Sequence, residues 1–476
     1  MDAEGNVPNT QLNNAKVVAN SSRRRTSPSP APLEAHEHRE SLDTQLQIIT
    51  RAKLPNRPSS ELWDVSVSDG KIASISPHEP LTPVSATRLL DAKGSLLCPS
   101  LCHAHIHLDK CFLLQDPKFA DLEIVDGDFQ EAMKLTTSAK SRFGREDLMR
   151  RGRQLVQESI RYGVTSMRAF VEVDGDVDFK CLDAGLALKE EFADRCEVQI
   201  CAFAQLPLFS GPDGGATVRR LMVQAAEREG VDVVGSTPYV ESDGVKENMN
   251  IRWLTTLALR HFKHLDFHLD YHLNESKDPT VWNVIRTLDH LHWKHRSSRV
   301  ITLGHCTRLA FFSPDDWASL RDTISAANLP ISFVGLPTSD LFMMRTPQNY
   351  RGTLPIPQMI KEYGINAAIA VNNVGNAFTP QGSCDPLTVA SLGVGVYQAG
   401  TKQDSEILFE CISGRAKSAI GLPGTGLDLQ EGDLADFVIF GQEDSEWRAR
   451  KCVSEVIYDP PCQARTTIRS GRVISG

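Results

Sequence analysis

The chain has 476 residues, 41% hydrophobic and 23% charged, and its 51 Lys+Arg against 60 Asp+Glu leave a formal charge of −9. That length suits a barrel with an added domain better than one small core, and the acidic balance excludes a general nucleic-acid binder, which needs clustered Lys/Arg. No run of about eighteen uncharged apolar residues is present to span a bilayer. Met1–Asn14 has acids and amides where a signal peptide needs a basic and then an apolar region. Eleven cysteines without Cys-x-x-Cys spacing suit reduced thiols. The expectation is a cytoplasmic protein with a small-molecule partner, no nucleic acid and no membrane; no residue pattern marks a homo-oligomer interface, and that state is left open.

Residues 1–42 read as a disordered tail, with Ser22-Arg23-Arg24-Arg25 and Ser27-Pro28-Ser29-Pro30-Ala31-Pro32 and almost nothing to bury. Order is expected from about Leu46. Val65-Ser66-Val67, Asp69-Gly70 and Lys71–Ile75 predict two strands around a hairpin turn. Near the other end, Phe437–Phe440 and Val453–Ile457 are predicted strands, and Ser470-Gly471 a second hairpin turn before Val473-Ile474. Residues 43–98 and 422–476 are therefore expected to meet in one discontinuous β-sandwich.

Between them the pattern changes. Arg145 to Gly163 places Leu148, Met149, Leu155, Val156 and Ile160 on one helical face, with Gly163 where a helix stops. Eight apolar strand candidates follow one another with helical stretches between: Cys98–His107, Val164–Glu172, Glu197–Gln205, Val231–Ser236, Leu265–Asp270, Val300–Gly304, Pro330–Gly335 and Asn366–Asn373. They predict a (β/α)8 TIM barrel over residues 99–421, whose chemistry belongs at the carboxyl ends of its strands.

Strand one ends Cys102-His103-Ala104-His105-Ile106-His107-Leu108-Asp109-Lys110. Side chains two apart on a strand share a face, so His103, His105 and His107 are expected to point together. His290-Leu291-His292 has the same spacing on a helix, where residues two apart diverge by about 200°. Strand five ends in His268-Leu269-Asp270-Tyr271 and strand six in Gly304-His305. A lone histidine after an apolar strand is usually a core residue, but His105, His107, His268 and His305 at three strand ends of one barrel suit one Zn²⁺ or Fe²⁺. Cys98, Cys102, Cys111 and Cys306 lie nearby in sequence and read as small buried hydrophobes rather than further ligands.

With these residues in view, about residues 45–476 resemble the cytosine deaminase-like branch of the amidohydrolase superfamily. The family pattern His-x-His-x-Asp-Lys appears as His105-Ile106-His107-Leu108-Asp109-Lys110, and its strand-three glutamine as Gln205 in Ala202-Phe203-Ala204-Gln205. Val231–Pro238 and the segment from Gly364 to Gly382 are similar to the family's strands four and eight. The resemblance implies one divalent metal on His105, His107, His268 and His305, with Gln205, Asn373 and Lys110 on the substrate. It implies hydrolysis of a C–N bond in a small cyclic amide, imine or aminated heterocycle, with metal-bound water as nucleophile.

The pattern departs from the family where protons move. The family's strand-five His-x-x-Glu reads His268-Leu269-Asp270-Tyr271, and its acidic strand-eight pair reads Asn372-Asn373. An amide cannot accept a proton near neutrality, and a tyrosine with an ordinary pKa near 10 is a poor base. Catalytic roles are therefore expected of His305, Asn372, Tyr271 and Asp270, with Glu172, Glu241, Asp109, Lys110 and His103 as further candidates for the proton carrier. The alternative is a catalytically impaired, amidohydrolase-like binding protein. The stretch from Pro337 to Gly352 is long for a connection and is expected to cover the pocket.

Overall fold

The structure, a computed structural model, describes residues 45–79, 88–441, 450–460 and 464–476. The tail expected over 1–42 lies outside the described residues, among which no helix is long and apolar enough to cross a membrane.

The amino-terminal part forms β1 (Ile48–Ala52), β2 (Trp63–Ser68), β3 (Lys71–Pro77) and β4 (Leu89–Asp91), in the sheet order β3-β2-β1-β4. The Asp69-Gly70 turn adopts φ of +52° and +72°, the left-handed pair that a two-residue hairpin requires. The predicted strand Cys98–His107 is two strands. β5 (Leu96–Pro99) joins the terminal sheet, and the chain crosses Ser100 before entering the barrel.

The barrel strands are β6 (Leu101–His107), β7 (Val164–Glu172), β8 (Glu197–Ala204), β9 (Val231–Ser236), β10 (His264–Leu269), β11 (Ile301–His305), β12 (Ile331–Gly335) and β13 (Ala367–Ile369). All pair in parallel and in chain order. The ring closes where Ile106 bridges Asn372: the His107 N–H donates to the Asn372 carbonyl at 2.8 Å and the Asn372 N–H to the His105 carbonyl at 3.2 Å. Regular pairing on the eighth strand ends at Ile369, earlier than expected, and at the closing bridge Asn372 turns to φ +69°, a region asparagine tolerates.

At the carboxyl end, β14 (Phe437–Phe440), β15 (Arg465–Arg469) and β16 (Arg472–Ser475) build the order β16-β15-β14-β5. Ile49, Val65, Ile72, Leu97, Phe437, Ile439 and Ile468 share one apolar core, so both chain ends supply it. Val453–Ile457, expected as a strand, belongs to a helix, Val453–Tyr458. Val453, Val456 and Ile457 are its buried residues, a three-and-four spacing that suits a helix and not an alternating strand. The helix Arg145–Arg161 ends as predicted, with Gly163 at φ +98°. A Cβ there would lie 2.8 Å from Val438, so this glycine also lets the barrel touch the terminal sheet.

Inside the barrel, Arg168 on β7 spans the strands. It donates to Asp266 at 3.0 Å, to Gln199 at 3.3 Å, to the Ile420 carbonyl at 3.2 Å and to Thr302. Asp266 sits two residues before His268, so this network lies one inward layer beneath the histidines. Arg168 and Asp266 are fully buried; Arg168→Met would leave an unpaired acid in the core. We expect about 3–5 kcal/mol of lost stability, with Arg168→Met/Asp266→Leu recovering a large part of it, measured by urea unfolding.

Candidate active site

His105, His107 and His268 meet at the carboxyl ends of β6 and β10, with one ring nitrogen from each inside a 4.8 Å cluster. His105 stacks on Phe170 with centroids 4.1 Å apart, and His268 lies 4.3 Å from Phe203. Phe170, Phe203, Cys201 and Val233 make an apolar wall beside the rings. This dry setting pushes all three imidazoles well below their ordinary pKa, and the neighbouring cations and rings add to the effect. They are neutral and carry lone pairs. Both nitrogens of His105, Nδ1 of His107 and Nε2 of His268 are buried without a hydrogen-bond partner. Such atoms are costly unless something takes their lone pairs, and neutral imidazoles converging from one side fit a divalent ion. Gly304 makes room: a Cβ there would approach the His105 ring to 3.2 Å.

His103 does not join them. The register slips by one residue between His103 and Ile106, a bulge that turns the first histidine outward to Ser159 at 3.1 Å on the helix Arg145–Arg161. Burial takes its pKa to about 3.

His305 stands apart from the three, its centroid 5.2 Å from His268 and 6.1 Å from His105. Its Nδ1 lies 2.8 Å from Asp340 Oδ1. Asp340 belongs to a helix, Pro337–Met343, inside the stretch expected to be a covering loop. It also accepts from Thr353 at 2.7 Å and from the Leu336 N–H at 3.3 Å. Burial raises its pKa, and these bonds oppose the rise. Sequence reasoning missed Asp340; Pro337, the first residue of its helix, was the available signal for a helix start.

Tyr271 stacks on His305 with centroids 3.8 Å apart. Burial, then Asp340 and Tyr239, push its hydroxyl well above the ordinary range, so the phenol stays neutral. Phe129, Tyr239 and Phe378 complete an aromatic roof with it. Asp270 is corrected: the chain leaves β10 at φ +48° and its carboxylate turns away to cap the helix Val281–His290. There it accepts the Thr280 and Val281 N–H groups at 2.8 and 3.0 Å. Glu241 is likewise occupied, by the Leu208 N–H at 2.7 Å, Ser210 at 2.6 Å and Asn250 at 2.9 Å. Cys98, Cys102, Cys111 and Cys306 are buried and none lines the cavity.

A small, half-open cavity lies at this end of the barrel. It brings together His107, His268, His305, Lys110, Gln205, Asn372 and Asn373 with Tyr271, Tyr239, Phe129 and Phe378, and none of these lining residues is a carboxylate. Asn372 donates to Ser339 Oγ at 2.7 Å and leaves its Oδ1 unpartnered. Behind Lys110 runs a buried line of charge. Lys110 pairs with Glu172, Glu172 with Lys140 at 2.6 Å, and Lys140 with Asp174. Burial opposes ionisation of Glu172, but the two lysines overcome it and hold the carboxyl at about 2. Asp109, pushed by burial to about 6, accepts the Glu172 N–H at 2.8 Å.

No protein-family model matches the chain. A curated protein, N-isopropylammelide isopropyl amidohydrolase from Pseudomonas sp. (strain ADP), is 24% identical over 404 residues, 84% of this chain and 92% of that protein. The crystal structure of 5-methylcytosine deaminase from Klebsiella pneumoniae, liganded with 5-fluorocytosine, matches with a TM-score of 0.74. The two are 24% identical over 90% of this chain and 97% of the other. The chain shares the barrel fold of that deaminase. The crystal structure of atrazine chlorohydrolase from Arthrobacter aurescens TC1 complexed with zinc matches with a TM-score of 0.61. It is 16% identical over 90% of this chain and 95% of that one.

On this barrel the Lys110–Glu172–Lys140 line carries a pH dependence. The Glu172 carboxyl titrates at about 2 in the fold against an ordinary 4.5. Its contribution is therefore complete above about pH 4.5 and is lost as the pH falls toward 2. Glu172→Gln is expected to cost about 3–5 kcal/mol at pH 7. The gap to the wild type should narrow in acid, read from denaturant midpoints across pH.

Proposed function

We propose that the chain is a metal-dependent hydrolase acting on a C–N bond of a small heterocyclic substrate. The observation that carries this reading is the set of neutral, unpartnered ring nitrogens of His105, His107 and His268 at the mouth of the barrel. The zinc in the atrazine chlorohydrolase structure supports the choice of metal class. When bound, the metal supplies Lewis acidity and makes water ionise near neutral pH.

The chain's own residues supply the rest. His305 donates its Nδ1–H to Asp340, which fixes the tautomer and leaves Nε2 as the acceptor. We assign to that Nε2 the proton transfer that an amide at position 372 cannot perform. Asn372 Oδ1 holds a donor in place, and Gln205 and Asn373 orient the ring. Tyr271, stacked on His305, fixes the imidazole plane and excludes water.

Protein purified without chelator should hold near one zinc or iron per chain by elemental analysis, and His268→Ala should lose most of it while keeping its far-UV circular dichroism. A folded protein that refuses both metals overturns the reading. With metal retained, Asp340→Asn should lower turnover by about 10²-fold or more, with KM little changed.

A second reading, a binding protein without turnover, is favoured by one observation: the cavity lining contains no carboxylate. It expects metal without hydrolysis, and hydrolysis created by Asn372→Asp.

A further inference from the structure

The charged side chain at the cavity, Lys110, has the opposite sign to the one a protonated or aminated ring requires. A ring bearing an amino group, or protonated on nitrogen, presents donors and positive charge, and is matched by a carboxylate. Among the described residues lining this cavity there is none.

What the cavity presents instead can be worked out from the hydrogen bonds. Asn376 Oδ1 accepts the Phe378 and Thr379 N–H groups at 3.0 and 3.2 Å, which fixes which end of that amide is oxygen. Its Nδ2 therefore donates, to the Lys110 carbonyl at 3.1 Å and to Asn373 Oδ1 at 2.8 Å. The Asn373 oxygen is thereby turned toward Asn376, and its NH2 end is the end left for a ligand. The ion pairs make the same choice of sign. The buried line Asp174–Lys140–Glu172–Lys110 alternates in charge, and its last member at the cavity is the cation. Lys110 is 2% exposed, and its ammonium lies 5.6 Å from the Phe378 ring centroid. Having three donors, it keeps hydrogen-bonding capacity beyond Glu172.

We infer that this cavity selects a carbonyl-rich, anionic heterocycle of cyclic-imide type, bound through Lys110 and the Asn373 amide N–H2, over an aminated ring. A ring N–H flanked by two carbonyls ionises readily and spreads its charge onto oxygens, which accept from an ammonium and an amide. Charge-assisted bonds of this kind are about twice as strong as neutral ones. The inference narrows the substrate proposed above and rests on that reading of the cavity as the substrate site.

Isothermal titration of the full chain, metal-loaded and metal-stripped, with the 2,4,6-trioxopyrimidine anion and with cytosine tests it. The wild type should bind the anion at least about tenfold more tightly than cytosine, and Lys110→Met should lose about tenfold on the anion with cytosine little changed. Asn373→Asp, a near-isosteric change that keeps the fold testable if Lys110→Met unfolds, should reverse the order. Cytosine binding as tightly as the anion in the wild type, or anion affinity unmoved in both variants, overturns the inference. Metal content and turnover are read separately. Anion selectivity without metal uptake or turnover would fault the hydrolase reading alone, whereas turnover of cytosine with rejection of the anion would fault this inference alone.

Discussion

Closure of the barrel at Asn372 governs the site. The two backbone hydrogen bonds between residues 105–107 and residue 372 join the first strand to the eighth. The same residues carry two of the clustered histidines and the amide beside them. Strand register thus sets the spacing of the site, because a slip of one residue would send each side chain to the opposite face. Such a slip lies between His103 and Ile106. It is why the first histidine of the run, His103, serves the packing of a helix and not the cluster.

Around that seam the polar interior is layered. Arg168 and Asp266 occupy one level, with Gln199 and Thr302 also accepting from the Arg168 guanidinium. The histidines form the next, against Phe170 and Phe203, and an aromatic roof of Phe129, Tyr239, Tyr271 and Phe378 closes the top. Each level restricts the one above it. The apolar wall keeps the imidazoles neutral, and the roof holds Tyr271 neutral as well, so little of the cavity's proton chemistry remains outside His305 and Asp340.

The barrel was legible because eight apolar runs alternate with helical spacing, and β6 and β10 were legible because histidines end them. The remainder depends on tertiary context. Asp270 looked like a neighbour of Tyr271 in a continuing strand, but a left-handed residue ends the strand and sends the carboxylate to a helix start. Val453–Ile457 has the β-branched content of a strand, but its buried residues fall at a three-and-four spacing and the segment is helical. Lys140 and Phe129 come from the helix Phe129–Lys140, whose start was written in Asp128 and Glu131, an acid accepting the N–H three residues on. Nothing local could have shown that this helix delivers Lys140 to Glu172, or that Pro337–Met343 delivers Asp340 to His305. Those are long-range pairings fixed by the packing of separate βα units.

The alternating line from Asp174 to Lys110 has a consequence for how the cavity responds to its surroundings. Its four side chains are at most 4% exposed. Mobile ions screen charges that water can reach over distances of about 8–10 Å, and they act far less on charges enclosed by protein. The field at the cavity is therefore a property of the fold rather than of the medium. A ligand's approach from bulk solvent can vary with ionic strength, while the preference exerted once it is inside stays nearly constant.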